Sequence, residues 1–232
     1  MKVVEIRERL IGLAEPEYGD FVTKGAPSDY PVLGVRVPRV QELANEIIKS
    51  DGGAAIDEFL AEFEPRAREE MHLKSFILAA KIKRDGLDKK ALFSHVKKMD
   101  SWEMVDIFCP RLKFVKKDRE KWLEVIDKML EKGEFEVRFG LVLLLDYYVE
   151  PEWIEVVFER ILRVLDREEY YVEMGVAWLL QKCYVCFPDS TLAFMKTAKI
   201  PEWTLRKAVS KIQDSYRIDK EWKERAKKLL SL

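Results

Sequence analysis

The chain has 232 residues, with 41 Lys and Arg against 42 Asp and Glu for a net charge of −1, and it is 48% hydrophobic and 36% charged. These globular values exclude collagen-like, low-complexity and disulfide-scaffold classes, and a chain this long encloses a core without cross-links, so its three cysteines imply none. Near-neutral net charge argues against a protein that coats nucleic acid but says nothing about where the charges lie.

Glycine and proline are sparse and fall between apolar-periodic segments, which predicts an all-α protein with short connections. The first helix is expected at 2–14, where Lys2, Glu5, Arg7, Glu8 and Arg9 interleave with apolar residues. That is helix patterning without the apolar centre of a signal peptide, and a cytoplasmic location is expected from it. Further helices are expected at 38–49, 54–63, 66–84, 88–98, 102–115, 117–132, 135–149, 151–165, 168–186, 188–197, 201–213 and 219–230. Asp88, Ser101 and Asp118 stand at N-cap positions, and Pro38, Pro65, Pro151, Pro188 and Pro201 at first turns, where a missing N–H costs nothing. Apolar runs such as Phe139–Leu145 are far shorter than a membrane span, so no membrane partner is expected.

From about residue 66, a strongly apolar helix alternates with a more charged amphipathic one every 30 to 40 residues or so, as in a helical solenoid. The segments 135–149 and 168–186 are apolar nearly all round and must be enclosed by neighbours. Cys183 and Cys186 form a lone C-x-x-C inside such a run, without a second pair, and read as buried structural thiols. His72 and His95 have no ligand spacing, and no phosphate loop, dinucleotide fingerprint, H-E-x-x-H or nucleophile elbow occurs. Neither a metal nor a cofactor is expected.

Charge is not evenly spread. Residues 196–232 hold 11 Lys and Arg against 5 Asp and Glu, and 111–121 hold six bases against two acids. Three further positions stand out, because a polar group on an apolar helix usually faces a groove or a partner. Asp106 follows Trp102 by four residues, so indole and carboxylate share a helix face. Arg138 opens the most apolar helix. Trp178 stands near Gly175 and Ala177, whose small side chains leave room for something bulky. Each also has an ordinary account: a core tryptophan, an Asp106–Arg111 pair, or Arg138 answering Glu134.

Five stretches, taken in order, resemble the DNA alkylation repair enzyme family of HEAT-like-repeat glycosylases. They are Leu33-Gly-Val-Arg-Val-Pro38 leading into Val40-Gln-Glu-Leu-Ala44, Ser101-Trp102 with Val105-Asp106, Val137-Arg138-Phe139-Gly140, Tyr170-Tyr171-Val172 with Ala177-Trp178, and Trp203 to Arg217. The resemblance covers most of the chain. It implies one domain over 1–232, a right-handed α-α superhelix whose basic concave groove grips duplex DNA. It also implies excision of cationic N3- or N7-alkylpurines by a monomer, with Asp106, Trp102 and Trp178 catalytic and Arg138, Lys207, Lys211 and Arg217 on DNA. Glu103 and Met104 depart from the family's more aromatic and polar stretch there. The alternative is a non-catalytic DNA-binding or damage-sensing helical-repeat protein, since fold transfers more safely than activity.

Overall fold

A computed structural model describes residues 2–50 and 54–231. Among them lie fourteen α-helices and no strand: α1 Val3–Gly12, α2 Pro16–Gly25, α3 Val37–Lys49, α4 Ala54–Glu62, α5 Arg68–Asp85, α6 Lys89–Val96, α7 Trp102–Phe108, α8 Arg119–Met129, α9 Glu134–Tyr147, α10 Ile154–Leu162, α11 Tyr170–Cys186, α12 Pro188–Thr197, α13 Glu202–Asp214 and α14 Lys220–Lys227. None is long and apolar enough to cross a membrane. The chain divides into two compact units, residues 1–114 and 115–232.

In the first unit α5 is the central helix, packed by α3, α4 and α7. Its apolar residues Leu73, Phe76 and Ile77 meet Ile6 and Leu10 of α1, Val40, Leu43 and Ile47 of α3, and Phe59 of α4 in one core. In the second unit α9 packs on α8 and α11, and α11 packs on α12 and α13. The helices α9, α11 and α13 start 36 and 32 residues apart, the spacing expected from the apolar and amphipathic alternation. Two acids tie this row together. Glu134 of α9 accepts the Tyr171 N–H at 2.7 Å, and Glu173 of α11 accepts the Thr204 hydroxyl at 2.8 Å. Both donors stand in the first turn of the next helix, and the Tyr171 N–H is one of those that lack an intrahelical partner there.

One expected boundary shifts, and one helix, α2, stands where none was expected. Helix 102–115 ends as an α-helix at Phe108, and the chain continues in 3-10 turns Cys109–Arg111 and Lys113–Lys117. Pro110 has no N–H to continue the ladder, and its ring would crowd the preceding turn. Helix α2 carries Pro16 at its first position, a start signal outweighed in the sequence by the helix-weakening Gly19 and Gly25. Gly19 is there for contact: a Cβ on it would meet the Gly34 Cα at 3.3 Å. Gly34 itself sits at φ +86°, and a Cβ there would lie 2.4 Å from the Glu15 carbonyl oxygen, so only glycine fits. Among the expected caps, Asp88 accepts the Ala91 N–H at 3.0 Å, while Ser101 and Asp118 occupy N-cap positions without a side-chain bond.

Candidate nucleic-acid interface

The first turn of α5 holds three consecutive charged residues, Arg68, Glu69 and Glu70, all buried. Each is paired with a distant segment. Glu69 accepts the backbone N–H groups of Leu33, Gly34 and Val35 at 3.0, 2.7 and 3.1 Å, so one carboxylate shapes the turn that begins Leu33-Gly-Val-Arg-Val-Pro38. Glu70 pairs with Arg7 at 2.9 Å and accepts the Arg66 N–H at 2.7 Å. Arg68, only 1% exposed, donates to the Ala26 carbonyl and to Glu103 of α7 at 3.0 Å. The second Glu103 oxygen lies 3.6 Å from His72 Nε2. Burial pushes the Glu103 carboxyl up, but His72 and Arg68 together outweigh it and hold the group below the ordinary carboxylate value.

This network fixes the first turn of α7, and with it two of the expected site residues. Trp102 donates its indole N–H to the Gly25 carbonyl at 3.2 Å, which sets the ring's orientation against the end of α2. Asp100, just before α7, accepts from the Ser28 hydroxyl at 2.6 Å and the Asp29 N–H at 2.7 Å. Asp106 follows Trp102 by one helical turn and is half-buried. Around it Met104, Val105 and Phe108 are fully buried, and Ile107 packs against the core. The guanidinium of Arg111 lies over the Phe76 ring at 4.6 Å. Met104 is thus a core residue and Glu103 the partner of a buried arginine, which accounts physically for the residue types found at these two positions.

His95 braces the far end of α7: its ring meets Phe108 edge-on at 5.5 Å, and its Nε2 lies 2.8 Å from Ser75 Oγ. Burial is the main cause that lowers its pKa from 6.5 to about 3, helped by Lys74 and Lys98 and opposed by Glu64. Between those values the unfolded chain binds a proton that the folded chain does not. Stability is therefore full above pH 6.5 and falls as the pH drops toward 3, by at most about 1.4 kcal/mol per pH unit from this group. Urea midpoints measured from pH 7 to 4.5 should show a shallower decline for His95→Gln than for the wild type. Equal slopes would refute this assignment of the acid sensitivity.

The second unit brings three expected residues together. Trp178 of α11, Lys211 of α13 and Arg217 line one open cleft of about 490 Å³, with Gln181, Asp214, Ser215 and Tyr216. Lys207, one turn before Lys211, holds its ammonium 5.3 Å from the Trp203 ring centroid. That ring continues a chain of aromatic contacts, Trp203–Tyr170 at 5.6 Å, Tyr170–Tyr171 at 5.1 Å and Tyr171–Phe135 at 5.2 Å. These aromatics come from the first turns of α9, α11 and α13. Tyr170 is 54% exposed.

Arg138 is largely buried, 6% exposed, and donates to the Tyr171 carbonyl at 3.1 Å. The bulky group that closes on Gly175 is the neighbouring helix: a Cβ there would meet Leu141 Cδ1 at 3.1 Å and Arg138 Nη1 at 3.9 Å. Gly175 of α11 therefore admits α9. Of the C-x-x-C pair, Cys183 is buried and Cys186 exposed, and both are free thiols. Burial pushes the Cys183 thiol far up, which suppresses thiolate chemistry there.

The signal for Asp106, Trp178, Lys211 and Arg217 lay in residue type and order. The buried trio of α5 had no such signal, because its roles depend on partners remote in the chain.

No curated protein matches the sequence. Among solved structures, the chain is similar to a predicted DNA alkylation repair enzyme from Enterococcus faecalis, with TM-score 0.68 and 15% identity over 87% of this chain and 98% of that one. The likeness supports an α solenoid-like fold of HEAT-like helices. Residues 6–212 match the family described as DNA alkylation repair enzyme. The chain belongs to the DNA alkylation repair enzyme family, and its role lies in the repair of alkylated DNA.

Proposed function

We propose that this protein is a DNA glycosylase that hydrolyses the N-glycosidic bond of cationic N3- and N7-alkylpurines in duplex DNA. It would act as a monomer in the cytoplasm, with residues 1–232 forming one repeat domain. The observation that carries this reading is Asp106: a half-buried carboxylate one turn after an oriented tryptophan, on a helix locked by a buried ion pair.

Breaking the bond builds positive charge on the sugar, and a fixed carboxylate beside C1′ stabilises that charge more than it stabilises the ground state. Water adds to C1′ and gives up a proton, while the bonding electrons leave with the base and neutralise it. Ordinary glycoside hydrolysis needs a second carboxyl group to protonate the leaving oxygen, whereas a cationic purine is already a good leaving group. One acid suffices, and the same requirement selects cationic lesions. Trp102 and Trp178 offer π faces to the sugar and to the cation, an attraction worth about 0.5–2 kcal/mol.

Lys207, Lys211, Arg217 and Arg138 would neutralise phosphates, contacts that position the duplex without reading its sequence. Lys207→Ala and Lys211→Ala should weaken duplex binding equally for all sequences, each flattening the slope of log K against log salt by about 0.9. Arg138→Ala should do the same but also lower stability, because its guanidinium supports the Tyr171 carbonyl. Filter-binding titrations from about 50 to 200 mM salt check this. Unchanged slopes in both lysine variants would refute the DNA-contact assignment.

A further inference from the structure

Four aromatic side chains from the first turns of α9, α11 and α13 form one strip. Phe135, Tyr171, Tyr170 and Trp203 follow one another at ring spacings of 5.2, 5.1 and 5.6 Å. Tyr170 is 54% exposed, and the other three are half-buried. A single exposed aromatic residue is ordinary, whereas a continuous row across three helices is a contact surface. The acids of the same turns are engaged: Glu134 by the Tyr171 N–H, Glu173 by the Thr204 hydroxyl, Glu169 by Arg167 and Glu202 by Arg206. The strip ends in a cation, the Lys207 ammonium 5.3 Å from the Trp203 ring centroid.

The strip is in register with the cleft at Trp178. Tyr171 precedes Trp178 by seven residues on α11, about 10 Å along the axis and within about 20° around it. On α13, Trp203, Lys207 and Lys211 recur every four residues along one side, and Lys211 lines the same cleft as Trp178. The two sugar–phosphate rails of a duplex border a minor groove about 6 Å wide, which sets their centres on the order of 10 Å apart. Ring faces suit the apolar face of a deoxyribose, and a sugar contact fixes position without reading sequence. We propose that the strip from Phe135 to Trp203 seats the strand complementary to the lesion, its deoxyriboses on the rings and a phosphate on Lys207, while the lesion strand lies at the Trp178 cleft. This rests on the DNA-binding part of the function proposed above and adds to it an assignment of strands. Holding both rails needs no base to leave the stack, and it makes a duplex the preferred ligand over a single strand.

The test is hydroxyl-radical footprinting of each strand in turn, which reads the accessibility of individual deoxyriboses. The probe is a duplex carrying one tetrahydrofuran abasic analogue, which offers no base to release and fixes the register. The wild type should protect sugars beside the analogue and a second run on the complementary strand, at most about four nucleotides long at 3.4 Å each. Tyr170→Ala should restore cleavage within the complementary-strand footprint alone. It should also lower duplex affinity roughly tenfold, as loss of one aromatic contact does, with the salt slope unchanged because no charge is removed. Tyr170→Phe should behave as the wild type. Tyr170 is more than half exposed, so its truncation does not threaten folding. Complementary-strand sugars as open with the wild type as in free DNA, or protection unaltered in Tyr170→Ala, overturns the strand assignment while the DNA-binding reading stands. No protection on either strand overturns both.

Discussion

Asp106→Asn should lower excision of a cationic alkylpurine by at least ~10²-fold, the loss typical when one stabilising electrostatic group is removed from a transition state. The amide keeps the shape and most of the hydrogen-bonding reach of the carboxylate but not the charge that opposes the developing oxocarbenium. Affinity for undamaged duplex should hold or rise slightly, because a negative group near phosphates is gone. A loss of rate beside unchanged or improved binding is the mark of an interaction made only in the transition state. Single-turnover rates and binding isotherms on the same preparations check this. If Asp106→Asn unfolds at a lower temperature yet keeps its rate per folded molecule, the carboxylate is structural and the catalytic assignment fails.

The second large effect concerns the helix that carries this carboxylate. Glu103→Leu should destabilise the fold by about 3–5 kcal/mol, since it leaves the Arg68 guanidinium buried without its charge partner. For a chain of this size that corresponds to a fall in Tm of roughly 6–20 °C. Adding Arg68→Met should recover much of the loss, because two packed apolar residues remove the uncompensated charge together with the pair. Calorimetry of both single variants and the double variant measures the coupling. Additive losses would mean that the two residues act independently, contrary to their 3.0 Å contact. His72, with Arg68, also holds Glu103 below the usual carboxylate range against the opposing effect of burial. Its contribution is present above the unfolded value of about 4.5 and is lost as the pH falls through the lower folded value.

The helical class and the repeat spacing were legible because they rest on periodicity, which survives whatever the chain packs against. The apolar segments around Phe139 and Leu179 could only be enclosed helices, and they are. Helix α2 was hidden because Gly19 and Gly25 argue locally against a helix, whereas Gly19 serves the close approach of Gly34. The premature end of α7 was written in Pro110, although the apolar pattern runs past it.

Asp106 with Trp102, Arg138 and Trp178 could be picked out by residue type on their apolar segments, and Lys207, Lys211 and Arg217 only through the resemblance to the family. Arg68, Glu69 and Glu70 could not. Three adjacent charges read as a solvated helix face, and their burial depends on partners 35 residues or more away, such as Glu103, Arg7 and the turn at Gly34. The small residues of α11 announced that something bulky comes close, and at Gly175 it is the neighbouring helix α9. A missing Cβ shows that something comes close and does not show what.

The most direct test of the proposed chemistry is release of the free base. The wild-type protein is incubated with a duplex carrying N7-methylguanine, and the supernatant is chromatographed for 7-methylguanine beside the Asp106→Asn variant and a no-protein control. Wild type should release the base well above the spontaneous rate and leave an alkali-labile abasic site, with the variant near background. Tight, salt-dependent binding of the same duplex by wild type with no base released above the control would contradict the glycosylase and leave a helical-repeat protein that holds DNA without cutting the bond.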